Sequence, residues 1–132
     1  MTLAVEYLDA EDLLELARRL LGDPPPVRDL GLLGAAAARP QASAFGEDAY
    51  PDIYSKAGAL LHSIVSNHPL VDGNKRLGWL AAAVFLELNA ASVSSVANDD
   101  VYDLVMAVAT AALSVEDIAG TLLLMYEQAL DS

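Results

Sequence analysis

Apolar residues recur at helical spacing between side chains suited to capping, which marks an all-α chain: a compact bundle of about six helices with an irregular flap before the third. Composition agrees. Apolar residues make up 55% of the chain, many of them Ala and Leu, with only two Phe and one Trp. That profile suits packed helices better than a sandwich or a barrel. Punctuation agrees as well, since Gly22, the Pro24-Pro25-Pro26 run, Pro40 and Pro51 divide the helical stretches. Residues 1–132 are expected to form a single domain, long enough to bury a real core, without internal repeats or low-complexity tracts.

A short piece from Leu3 to Tyr7 is expected to be extended. Asp9 can cap a first helix running to Leu21, with Leu13, Leu16, Ala17, Leu20 and Leu21 on its apolar stripe. Its acids Glu11, Asp12 and Glu15 come early and Arg18 and Arg19 late, as the helix dipole favours. Gly22 stops it, and the prolines forbid continuation. Asp29 caps a second helix through Leu30, Leu32 and Leu33 to Ala38, ended by Pro40. Residues 41–51, QASAFGEDAYP, have no helical period and read as an exposed loop or flap carrying Phe45 and Tyr50.

Asp52 can cap a third helix, Ile53 to about Ser66, with Ala57, Leu60, Leu61, Ile64 and Val65 at core spacing. His62 lies beside that stripe and is given no role. A fourth helix, Leu77 to Leu88, would turn Leu77, Leu80, Ala81, Val84, Phe85 and Leu88 inward, with Asn89 at its end. Ala90 to Val96 is expected to be weakly extended. Asn98 would cap a fifth helix, from Asp99 to about Ala112. Ser114 and Asp117 form a capping box for the last helix, which continues to Leu130.

The formal charge is −12, from 19 acidic residues against seven Lys plus Arg. Direct binding to DNA or RNA is not expected of such a chain, because counterion release needs clustered cations. No apolar run reaches the roughly 18 residues of a membrane span, and the N-terminal stretch carries acids in place of a basic n-region, so neither membrane insertion nor secretion is expected. With no cysteine there are no disulfides or thiolate metal sites, which fits a cytoplasmic protein.

Polar chemistry is concentrated between the third and fourth helices, in His68-Pro69-Leu70-Val71-Asp72-Gly73-Asn74-Lys75-Arg76. Asp, Gly and Asn are ordinary turn formers, but Lys75 and Arg76 then stand against a helix N-terminus, where cations are disfavoured. Two of so few cations make sense there if an anion occupies the site, held by free N–H groups, an amide and the two cations. Asp72 would repel a polyphosphate unless a Mg2+ ion bridges them; its simpler role is to cap the helix, and the two are compatible. An imidazole at the other end of the loop suits removal of a proton from an incoming hydroxyl. No P-loop and no dinucleotide-binding glycine motif is present.

This nine-residue stretch resembles the signature H-x-F-x-[DE]-[AG]-N-[GK]-R of the Fic/Doc superfamily, and Lys75 at its eighth place resembles the Doc (death-on-curing) toxin branch. The segments Val27 to Leu33, Ala38-Arg39-Pro40-Gln41 and Val84 to Asn89 are similar to that family's pattern, so the resemblance covers nearly the whole chain. It implies the Fic/Doc fold, with His68 as catalytic base, Asp72 as the Mg2+ ligand, and Gly73, Asn74, Lys75 and Arg76 holding the phosphates of ATP. It further implies that the 41–51 flap docks the target, and that Lys75 turns the nucleotide so the γ-phosphate faces the acceptor. The implied activity is a toxin kinase phosphorylating the elongation factor that delivers aminoacyl-tRNA, inhibited by a Phd-like antitoxin. The alternatives are AMP transfer of the Fic type, or an inactive module that binds an antitoxin or another protein. Two positions depart from the pattern. Leu70 stands where Phe is usual, as an expected buried anchor. Leu77-Gly78-Trp79 replaces the more usual Thr-Ala-Leu, with Gly78 expected to weaken the helix by about 1 kcal/mol.

Overall fold

The computed structural model describes residues 4–131. Six α-helices account for most of them: α1 (Ala10–Leu21), α2 (Leu30–Ala38), α3 (Ile53–Asn67), α4 (Asn74–Leu88), α5 (Asn98–Ala109) and α6 (Val115–Leu130). The all-α expectation holds. Helix starts follow the caps: Asp9, Asp29, Asp52 and Ser114 each accept a hydrogen bond from the backbone N–H three residues on. Asp9, Asp52 and Ser114 complete capping boxes with Asp12, Ser55 and Asp117.

Helix α3 is the axis of the bundle and packs against α2, α4, α5 and α6. Its residues from Lys56 to Leu61 are all buried, so it is apolar nearly all round, as a central helix must be. Two glycines let neighbours approach closely. At Gly58 a Cβ would lie 3.2 Å from the Val115 carbonyl oxygen of α6. At Gly78 it would lie 2.8 Å from Val65 Cγ2 and 3.0 Å from Leu61 Cδ1. Gly78 is therefore what allows α4 to seat on α3, and its fault as a helix former is offset by that approach.

Several expectations are corrected. The flap is not irregular: Ser43–Ala44 (β1) and Glu47–Asp48 (β2) pair antiparallel around Phe45-Gly46, both in the left-handed region, the turn geometry that matches strand twist. The fourth helix begins at Asn74 rather than Leu77, because the Gly73 carbonyl accepts from Leu77 N–H and closes the first turn there. Residues 90–96 form turns and irregular backbone rather than a strand, and pair with no strand among the described residues. Asn98 is the first helical residue of α5 and not its cap, a place taken by Ala97 without a side-chain bond. That helix stops at Ala109, short of Ala112. Leu88 is exposed while Leu86 is buried, a rotation of the inner face at the end of α4. Pro40 ends α2 through a 3-10 turn over Arg39–Gln41. Leu3 lies outside the described residues; the lead-in that follows has no strand partner among the described residues, and Glu6 pairs its N–H and C=O with the Asn89 amide instead, both at 2.9 Å.

Candidate active site

The motif loop joins α3 to α4 and is fixed from two sides. His68 closes α3 in the left-handed conformation, φ 53°, with its N–H donating to Ile64 C=O. Such a backbone costs a non-glycine residue about 1 kcal/mol or more and persists only where surroundings enforce it. They do so here through Arg28. Its Nε donates to the His68 carbonyl oxygen at 2.7 Å and its Nη2 to that of Asn67 at 3.0 Å, capping the helix end with a cation. The 26–29 segment runs along the loop: Arg28 and Asp29 N–H both donate to Pro69 C=O, and Val71 N–H to Pro26 C=O. Leu70 is buried, 1% exposed, as expected of the anchor at the motif's third place.

On the other side, Gly73 is the N-terminal cap of α4 at φ 88°. A Cβ there would fall 2.7 Å from Leu21 Cδ1, so glycine is required both by conformation and by the packing of α1. Its N–H donates to Asp72 Oδ1 at 2.9 Å and is not free for a ligand. Asp72 accordingly does not cap the helix, and one of its oxygens has no partner among the described residues. The Asn74 side chain is buried and spent on the loop itself: Oδ1 accepts from Leu70 N–H and Nδ2 donates to Leu70 C=O, each at 2.9 Å. Expected as part of the anion cradle, its amide instead braces the loop and reaches His68 Nδ1 at 3.4 Å. An amide N–H can only donate, so the contact favours a lone pair on Nδ1, at a length too great to hold the ring firmly.

Three backbone N–H groups, of Asn74, Lys75 and Arg76, have no acceptor among the described residues and lie at the positive end of α4. The side chains of Lys75 and Arg76 are exposed and form no ion pair among the described residues. His68, Asp72, Gly73, Asn74, Lys75 and Arg76 all line one cavity of about 260 Å³. The loop thus brings together every motif residue singled out for chemistry, with Arg28 added from outside the motif. Arg28 stood in a segment matching the family pattern, but nothing in its immediate sequence pointed to His68.

Among the described residues no three acidic or imidazole side chains gather as a metal cluster. A carboxylate with one oxygen unpartnered among the described residues, beside the positive end of α4, is a donor set that fits a Mg2+ ion shared with an anionic ligand. The flap base is anchored by two cations. Lys56, 1% exposed, donates through Nζ to Pro40 C=O at 3.2 Å and to Asp48 Oδ2 at 3.3 Å. Arg39 donates to the Tyr50 hydroxyl at 3.0 Å, to His62 Nδ1 at 2.9 Å and to Ser63 Oγ at 3.3 Å. His62, given no role from the sequence, therefore helps to seat the flap.

An all-α bundle that presents a histidine, a carboxylate and a cationic helix end from one interhelical loop defines a small class of proteins. Residues 7–86 match the family model described as Fic/DOC family. The chain is 48% identical over 118 residues to "Toxin Doc" of Mycolicibacterium smegmatis, covering 89% of this chain and 91% of that protein. It belongs to the Fic/DOC family.

Proposed function

We propose that this chain is the toxin of a toxin–antitoxin pair, acting in the cytoplasm as an ATP-dependent protein kinase on the elongation factor that delivers aminoacyl-tRNA. The toxin reading is supported by the likeness to "Toxin Doc" over nearly the whole of both chains. The observation that carries the chemistry is one cavity lined by His68, Asp72 and the cationic start of α4. Phosphate oxygens are bound by the N–H groups of Asn74, Lys75 and Arg76 and by the two side-chain cations. Asn74 also holds the loop in the shape that aims these groups. Asp72 supplies the protein oxygen for Mg2+, and that ion neutralises charge on the phosphates when bound.

His68 takes the proton from the acceptor hydroxyl. The hydroxyl oxygen forms a bond to the γ-phosphorus, the bond from that phosphorus to the β,γ-bridging oxygen breaks, and ADP leaves with the electron pair. The hairpin docks the acceptor protein, with Phe45 at its exposed tip. A Phd-like antitoxin inhibits by folding a segment onto the toxin.

Incubation with a translation extract and ATP labelled at the γ or the α position tests this reading. Label transferred to the elongation factor from γ only is the expected result; label from α means AMP transfer, and none from either means an inactive binding module. His68→Ala should lower transfer by about 10²–10⁴-fold and relieve growth arrest while the chain stays folded. Undiminished toxicity would remove His68 from the reaction. Asp72→Asn should raise the Mg2+ concentration needed for half-maximal rate.

A further inference from the structure

Helices α5 and α6 both pack on α3 and leave a groove between them, a cavity of about 400 Å³ that continues past the start of α5 as a recess of about 120 Å³. On α5 the lining includes Asp100, Asp103, Leu104 and Ala107, spaced i, i+3, i+4 and i+7, and α6 repeats that spacing from Thr121 to Gln128. Each wall is therefore one face of a helix over two turns, about 10 Å long. Leu104 and Met125 form a buried apolar floor, while Leu124 on the rim is exposed. No residue of the groove lines the cavity that holds His68 and Asp72.

Charge is distributed unevenly along the chain. Residues 77–132 contain eight acids and no Lys, Arg or His. Asp99 and Asp100 suit the first turn of α5, where the helix dipole favours acids. Asp103 lies a turn further on, beyond that effect, and neither Asp100 nor Asp103 forms an ion pair among the described residues. From the acidic wall and the apolar floor together we infer that the groove docks a basic helical segment of a partner protein. Its apolar residues sit on Leu104, Met125 and Leu124, and its Lys or Arg side chains meet Asp100 and Asp103. Helix-in-groove docking uses this anchor spacing, and opposed charges fix the register and speed the encounter. A nucleic acid or an anionic membrane would be repelled by the same acids. A metal ion finds no cluster of three acids among the described residues, and a small polycation would leave the apolar floor bare. Because the groove shares no residue with the His68 cavity, docking here leaves the reaction site open. The inference stands apart from the kinase reading.

Fluorescence anisotropy with labelled helical peptides tests this at about 0.15 M salt, where long-range attraction is screened. The probe carries Leu on one face and Lys on the other; one twin has Glu for Lys, a second has Gln for Leu. The Leu/Lys peptide should bind saturably, and both twins about tenfold or more weaker. Leu124→Gln, and separately the pair Asp100→Asn with Asp103→Asn, should each weaken that binding about tenfold. All three positions are exposed, so the variants should keep the fold, which circular dichroism checks. The pair Glu11→Gln with Glu116→Gln removes the same charge from exposed positions outside the groove and should leave the affinity unchanged. Equal weakening by the two pairs would mean general attraction to an acidic chain and overturns the inference. So does a twin that binds as tightly as the probe, or a probe that does not bind. A dimer seen by sedimentation and dissolved by Leu124→Gln makes a second copy of the chain the occupant, with the same consequence.

Discussion

Gly78 illustrates how an absent methyl group can be a structural requirement. In the sequence it is a weak helix former in the middle of α4. In the fold it is the point where Val65 and Leu61 of α3 touch α4. Gly78→Ala should destabilise the protein by about 1–2 kcal/mol, because overpacking against a stiff β-branched neighbour exceeds the gain in helix propensity. Denaturant unfolding measures this, and a more stable variant would show that α3 and α4 can part at no cost. His62 is the second case. Burial, and after it the Arg39 guanidinium, hold its pKa below the ordinary 6.5. A histidine kept neutral in the native state takes up a proton later than in the unfolded chain. Its stabilising effect is complete above 6.5 and fades as pH falls below 6.5 toward the lowered native value. Thermal unfolding between pH 7 and 5.5 should therefore show a steeper loss of stability for the native chain than for His62→Gln; coincident slopes would exclude the effect. Glu15, whose pKa is lowered by Arg19 and then Arg18, acts in a separate window below 4.5.

The hairpin before α3 shows why short strands escape sequence reading. Each strand has two residues and both are exposed, so no alternation of burial exists to be read. A two-stranded ribbon alone is marginal in water. Lys56 and Arg39 hold its base, and both act across sequence distances that no local pattern encodes. Phe45 at the tip is fully exposed and buries nothing, so Phe45→Ala should change stability by less than about 0.5 kcal/mol. If the hairpin docks the acceptor, the same change should raise KM for the acceptor protein about tenfold, with ATP affinity unaltered. An unchanged KM would place acceptor docking elsewhere. At α4 the apolar period points to a start at Leu77, three residues after the true one, because polar Asn74, Lys75 and Arg76 interrupt that period although the turn they make is helical.

Over the chain taken together, acids outnumber cations heavily, yet among the described residues no acidic cluster gathers to hold a metal. Mg2+ should therefore bind only with nucleotide. Titrating MgCl2 into nucleotide-free protein should give no saturable heat, and a saturable site would require ligands beyond Asp72. The sequence by itself determined the helical class, the four capped helix starts and the stretch that carries the polar chemistry, because caps, helical periods and a contiguous motif are local signals. Tertiary structure alone decided which polar groups are free to meet a ligand. The Asn74 amide turns inward to brace the loop, the Gly73 N–H is taken by Asp72 Oδ1, Arg28 arrives from a distant segment to hold His68, and Gly78 admits a neighbouring helix. Each of those facts depends on what lies across the fold, and hydrogen-bond partners and close contacts across a fold leave no period in the chain that makes them.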